Sequence, residues 1–219
     1  MLSRAVLFDL DGTLTDPKPG ITRCIQYALS ELGHAPPNAD ELHWCIGPPL
    51  KGSFSQLLKT SDDRAIEQAL SLYRRRYSAI GLFENSLYPE IIATLKTIRS
   101  AGYKTFVATS KPHIYAARIL EHFDILSLFD GVYGSEFDGT RSDKGELIFH
   151  ILLTENICPA STIMVGDRKY DILGAKRHNV YTIGVTYGYG TEQELRSHCA
   201  DLIADSPDEI PEFLEKICY

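Results

Sequence analysis

Ala5-Val6-Leu7-Phe8-Asp9-Leu10-Asp11-Gly12-Thr13 (AVLFDLDGT, residues 5–13) decides how the chain is read. Four apolar residues without polar alternation mark a strand buried on both faces, placed here at residues 4–9. Two aspartates one residue apart then close it, and Gly-Thr follows. Carboxylates that close repel one another, and burial makes each costlier. A strand that ends this way needs a compensating positive charge at its C-terminal end.

The period changes downstream. Ile21, Ile25, Ala28, Leu29 and Leu32 fall on one helical face, and Gly33 suits the position just past a helix end. Asn38 and Glu41 form a capping-box pattern for a short helix through Cys45. Gly47-Pro48-Pro49 breaks the chain, and a short helix is expected from about Leu50 to Leu58. Ser61 is the expected cap of a longer helix with Ile66, Ala69, Leu70, Tyr73, Tyr77 and Ile80 along one stripe. His43, Trp44, Tyr73 and Tyr77 read as core of this region. Residues 17–85 therefore read as all-helical.

From Pro89 the pattern alternates. A helix with Pro89 in its first turn ends at Gly102. Strands at 103–108, 131–133, 162–165, 181–185 and 202–204 are separated by helices at 112–122, 144–155 and 171–178 and one capped by Thr191 and Glu194. Ser206-Pro207-Asp208-Glu209 caps a last helix. Alternating strands and helices imply a parallel sheet covered on both faces. The fold class is α/β: a Rossmann-like three-layer core, residues 1–16 and 86–219, with a parallel sheet and an inserted all-helical cap at 17–85.

Composition is that of a soluble globular chain: 219 residues, 44% hydrophobic and 23% charged, net charge −7. A mildly acidic protein exerts no general pull on nucleic acid or an anionic membrane, so neither is expected as a partner. No apolar run approaches the ~18 residues of a membrane span. The opening MLSRAVLFDLDG does not read as a signal peptide. Cys24, Cys45, Cys158, Cys199 and Cys218 form no CxxC or metal-ligand spacing, which suits reduced thiols in a cytoplasmic protein.

In open parallel sheets, ligands bind beyond the C-terminal strand ends. Asp9 and Asp11 follow the first strand, and Thr109, Ser110 and Lys111 follow the second core strand. Asp143 and Lys144 precede a helix, and Gly166, Asp167 and Asp171 follow a later strand. Hard oxygen ligands of this kind suit Mg²⁺. A hydroxyl and an ammonium beside them suit an anion with several oxygens, best a phosphate.

These residues together resemble the haloacid dehalogenase (HAD) superfamily of phosphohydrolases. The resemblance rests on Asp9-Leu10-Asp11-Gly12-Thr13, the apolar strand ending in Thr109, Lys144 before a helix, and Gly166-Asp167-x-x-x-Asp171. It covers the whole chain, because the helical insert sits where the family's type-1 cap sits. The closest pattern is that of phosphoglycolate phosphatases and bacterial 5′-nucleotidases.

The resemblance implies a Mg²⁺-dependent phosphatase acting on a small soluble phosphomonoester through an aspartyl-phosphate. Asp9 is then the nucleophile and Asp11 the general acid and base. The metal is held by Asp9, the carbonyl of Asp11 and Asp167, with Asp171 ligating directly or through water. Thr109 and Lys144 bind the phosphoryl group, and Ser110, Arg141 and Lys51 are further candidates for substrate contact. Asp11 argues against a dehalogenase. Two alternatives are a sugar phosphomutase of the same superfamily, whose expected cap-loop arginine is replaced by Phe54-Ser55, and a non-catalytic HAD-fold binding module. The substrate stays open, as does the choice between monomer and homodimer.

Overall fold

The computed structural model describes residues 4–217. Its main sheet has six parallel strands: β1 (Ala5–Phe8), β4 (Lys104–Pro112), β5 (Gly131–Ser135), β6 (Thr162–Gly166), β7 (Tyr181–Val185) and β8 (Leu202–Ala204). Two-residue strands β2 (Thr15–Asp16) and β3 (Ser86–Leu87) form a second, small sheet. The main sheet runs β5-β4-β1-β6-β7-β8, so β1 is central and the order reverses beside it. β1 pairs in register with both neighbours: Phe8 is opposite Val107 of β4 and Val165 of β6. Asp9 therefore leaves the sheet level with the last residue of β6 and with Ala108, where the regular pairing of β4 ends, at the place where such sheets bind ligands.

Helices cover both faces. Ala5 and Leu7, with Phe106, Ala108 and Met164, pack against Leu147, Ile148 and Ile151 of α6 (Lys144–Thr154) and Ala175 of α7 (Lys169–Lys176). Val6 and Phe8 alternate to the opposite face and are equally buried, which is why β1 is apolar throughout. α4 (Ile91–Ser100) packs on β4, and α9 (Glu209–Lys216) on α4 and β8. α5 (His113–His122) packs on β4 and β5, and α8 (Glu192–Ser197) on β7. The chain divides into two compact units, one of residues 1–16 and 87–219 and the other of residues 17–86. No helix among the described residues is long and apolar enough to cross a membrane.

The second unit holds α1 (Lys18–Glu31), α2 (Leu50–Leu58), α3 (Asp63–Ala79) and two 3₁₀ segments, Ala39–Cys45 and Gly81–Phe83. α1 closes with Gly33 at positive φ: His34 N–H donates to Leu29 O and Gly33 N–H to Ser30 O. Tyr73 and Tyr77 stack with centroids 5.1 Å apart inside this unit, and Phe54 meets Tyr73 edge-on. His43 and Trp44, expected as core, are exposed. The reason is the 3₁₀ geometry, whose three-residue period turns Leu42 and Cys45 inward and the two residues between them outward.

Three residues expected to cap or open helices do not do so. α3 is capped by Asp62, whose carboxylate accepts from Arg64 N–H at 3.1 Å, rather than by Ser61. α4 begins at Ile91, because Glu90 is left-handed (φ 67°) and Pro89 lies in the turn before it. Asp208, rather than Ser206, precedes α9, and Glu209 turns back to accept from Asp205 N–H. Cys24, Cys45, Cys158 and Cys199 are free thiols, and Cys218 lies outside the described residues.

Candidate active site

The C-terminal edge of the sheet gathers the acidic residues. Asp9 prolongs β1, its N–H donating to Val165 O at 2.9 Å. Asp167 follows β6 directly, and Asp171 sits in the first turn of α7, where its carboxylate also accepts from Arg168 N–H. Carboxylate oxygens of Asp9, Asp167 and Asp171 lie within 4.8 Å of one another, and all three residues are buried. The Asp11 carboxylate is not part of this trio. It faces Lys111, whose ammonium lies 2.8 Å from Oδ1 and 2.7 Å from Oδ2.

Lys144 occupies the first position of α6, where the helix dipole disfavours a cation. Carboxylates compensate it: its Nζ lies 3.0 Å from Asp9 and 2.7 Å from Asp171, and it donates to Ala108 O at 2.7 Å. These three partners match the three donors of an ammonium group. Burial works against its charge, yet Asp171 and Asp9 hold its pKa above the ordinary lysine value. Thr109 is buried at the end of the regular pairing of β4, and its hydroxyl oxygen accepts from Lys111 N–H at 3.2 Å. An accepting hydroxyl retains its proton for an incoming oxygen.

The electrostatics point to a cation. With all four ionised, Asp9, Asp11, Asp167 and Asp171 outnumber the ammonium groups of Lys111 and Lys144 by two charges. Burial, then the charges of Asp171 and Asp9, raises Asp167 well above the usual carboxylate range. Burial also lifts Asp171 to about 6, with Lys144 opposing, and lifts Asp11 despite Lys111. Asp167 Oδ2 accepts from Tyr189 N–H at 2.7 Å, but Oδ1 is buried with no hydrogen-bond partner. An unpaired buried carboxylate oxygen facing two more carboxylates is what a hard divalent ion satisfies.

The other candidates have partners of their own. Ser110 donates its hydroxyl to Ser142 O at 3.2 Å, tying down the loop before α6. Arg141 has a left-handed backbone (φ 59°) and pairs with Glu136. Asp143 caps α6 and pairs with Arg177. Lys51 belongs to the second unit, in the first turn of α2, where it pairs with Asp63 at 2.9 Å. β4 runs through Ser110 and Lys111 to Pro112, beyond its expected end at Ala108, with a register break between Ala108 and Pro112.

The loop after β7 was not singled out from the sequence. Tyr187-Gly188-Tyr189-Gly190 wraps Asp167, and Tyr187 donates its hydroxyl to Thr13 O at 3.1 Å. Gly12 (φ 87°) and Gly190 complete the wrap: a side chain on Gly12 would overlap the Asp167 carboxylate, and one on Gly190 its carbonyl. The available signal is position, since β7 ends at the same sheet edge as β1, β4 and β6.

Comparison with known proteins places the chain in a family. The family model described as "Haloacid dehalogenase-like hydrolase" matches residues 6–185. The chain is 47% identical over 204 residues to a 5′-nucleotidase of Pseudomonas aeruginosa, covering 91% of this chain and 92% of that one. It is 27% identical over 212 residues to a phosphoglycolate phosphatase of Colwellia psychrerythraea, covering 94% of each. A crystal structure titled as a predicted phosphatase from Clostridium acetobutylicum superposes with a TM-score of 0.93 at 39% identity, over 99% of this chain and 100% of that one. The chain belongs to the haloacid dehalogenase-like hydrolase family, among its phosphatases.

Proposed function

We propose that the chain is a Mg²⁺-dependent phosphatase that hydrolyses a small phosphomonoester in two steps through an aspartyl-phosphate on Asp9. The observation that carries this reading is the buried trio of Asp9, Asp167 and Asp171, with Asp167 Oδ1 unpaired and Lys144 against the other two. Asp9, Asp167 and Asp171, with the carbonyl of Asp11, would hold Mg²⁺, which when bound supplies positive charge to the phosphoryl oxygens.

In the first step an Asp9 carboxylate oxygen bonds to phosphorus as the bond to the leaving oxygen breaks. Asp11 gives that oxygen its proton. In the second step water bonds to phosphorus and its proton passes to Asp11. The Asp9–phosphorus bond breaks, phosphate leaves and Asp9 is restored as a carboxylate. Splitting the transfer avoids direct attack of water on the ester. Lys144 holds Asp9 in place, and Thr109 offers a hydroxyl proton to the phosphoryl group. Burial, opposed by Lys111 and aided by the charge on Asp9, raises the Asp11 carboxyl above its ordinary pKa, the direction a proton donor needs.

The relatives' names point to nucleoside 5′-monophosphates and phosphoglycolate as first substrates. Phosphate release should be measured with Mg²⁺ and with EDTA on these two, hexose phosphates and phosphotyrosine. One substrate well ahead in kcat/KM and silenced by EDTA is the expected result. Release undiminished by EDTA would overturn the metal dependence. Isomerised product without release would favour a sugar phosphomutase.

A further inference from the structure

The two-step chemistry assigned to Asp9, Asp11, Thr109 and Lys144 gives Lys111 no part, yet the fold buries it against Asp11. Its side chain is 6% exposed and that of Asp11 11%, and the ammonium contacts both carboxylate oxygens. Burying such a pair brings little net stability: desolvation offsets the attraction, and replacing both partners by well-packed apolar side chains is often neutral or stabilising. Lys144 does not substitute for it, because its three donors face Asp9, Asp171 and Ala108 O.

The backbone at Lys111 is fixed too. Its N–H donates to the Thr109 hydroxyl, and its carbonyl packs on Gly134 so closely that a side chain there would overlap it. The register break of β4 falls on this stretch, so the strand departs from regular pairing where it delivers Thr109 and Lys111. Lys111 thus links the hydroxyl that meets the phosphoryl group to the carboxyl that meets the leaving oxygen.

We propose that Lys111 is a positioning residue for Asp11. By gripping both oxygens it fixes the plane and reach of the carboxyl, so that Asp11 meets first the leaving oxygen and then the water. The inference rests on Asp11 acting as the acid and base of the phosphatase reading. Its signature is a dependence on the leaving group. An alkyl phosphate needs Asp11 in both steps. A p-nitrophenyl ester needs no proton to leave, so it needs Asp11 only in the second.

The test is rapid-mixing and steady-state kinetics of the Mg²⁺-loaded full chain as wild type, Lys111→Met and Lys111→Arg. In Lys111→Met the burst of p-nitrophenol should keep its wild-type rate while steady-state turnover falls about 10- to 100-fold, part of what a general acid–base contributes. On the best alkyl substrate, single-turnover cleavage should fall by a similar factor with KM nearly unchanged. Lys111→Arg, which keeps a cation on Asp11, should recover part of the loss and serves as the test variant if Lys111→Met does not fold. In that role its alkyl rate should drop more than its p-nitrophenol burst. Equal slowing of the first step on both esters, a rise in KM alone, or unchanged rates would each overturn the role. If wild type releases no phosphate, or Asp11→Asn is as fast as wild type, it is the phosphatase reading that fails.

Discussion

Each buried carboxylate at the sheet edge is costly alone and answered by a specific neighbour: Lys144 for Asp9 and Asp171, Lys111 for Asp11, Tyr189 N–H for one oxygen of Asp167. Asp9→Asn should lower turnover by at least about 10⁴-fold, as loss of a nucleophile does, with little change in the melting temperature. Substantial hydrolysis by that variant would remove Asp9 from the role. Asp171 predicts a pH effect. Burial raises its pKa to about 6 in the folded chain, above the 3.8 of the unfolded one. The folded state then binds that proton more tightly, so its contribution to stability is lost as pH rises from about 4 through about 6. Metal-free protein, melted in EDTA across that window, should lose part of its stability, and Asp171→Asn should flatten the loss. An equal slope in the variant would assign the effect to other groups.

At the scale of the element, strand and helix ends do the placing. The turn after β1 depends on Gly12 in the left-handed region, pressed against the Asp167 carboxylate. Gly12→Ala should cost about 1–2 kcal/mol from backbone conformation alone. Displacement of Asp167 should add a weaker response to Mg²⁺, read by thermal shift with and without the ion. In the helical unit, Asp62 caps α3 and Ser61 does not. Asp62→Ala should therefore destabilise this unit by about 1 kcal/mol, whereas Ser61→Ala should stay within about 0.5 kcal/mol. Urea unfolding of the pair separates them, and the reverse order would restore Ser61 as the cap.

Across the whole molecule, the acidic edge crowds three buried carboxyl groups whose ionisation burial and mutual repulsion disfavour, and a divalent ion would offset that cost. Binding should stabilise the fold by mass action, about 2.7 kcal/mol at a Mg²⁺ concentration one hundred times Kd. Calorimetry should show the melting temperature rising with Mg²⁺ and falling back with EDTA, and Asp167→Asn should lose most of the response. A wild-type chain indifferent to Mg²⁺ would refute the cation site without touching the fold.

The sequence by itself determined the order of the six core strands and the helices between them, the α/β class and the acidic residues gathered at the sheet edge. Those signals are local: an unbroken apolar run for β1, a helical period before and alternation after, and Asp9, Asp11, Asp167 and Asp171 at strand ends. Gly33 as the residue past α1 and Thr191 as the cap of α8 were legible for the same reason, because the partners lie within a few residues. What depended on distant partners was not legible. Lys111 looked like one more polar residue after a strand until packing set it on Asp11, one hundred residues away. The Tyr187–Gly190 loop carries no acid or nucleophile, and only the closure of the sheet edge wraps it around Asp167. Ser110, Arg141 and Lys51 were singled out by charge and place in the chain, whereas the structure ties them to Ser142, Glu136 and Asp63. Residue type sets which groups can ionise and where a strand ends. Tertiary structure decides which buried charge faces which, because a charge removed from water is held by whatever partner the fold brings within about 3 Å.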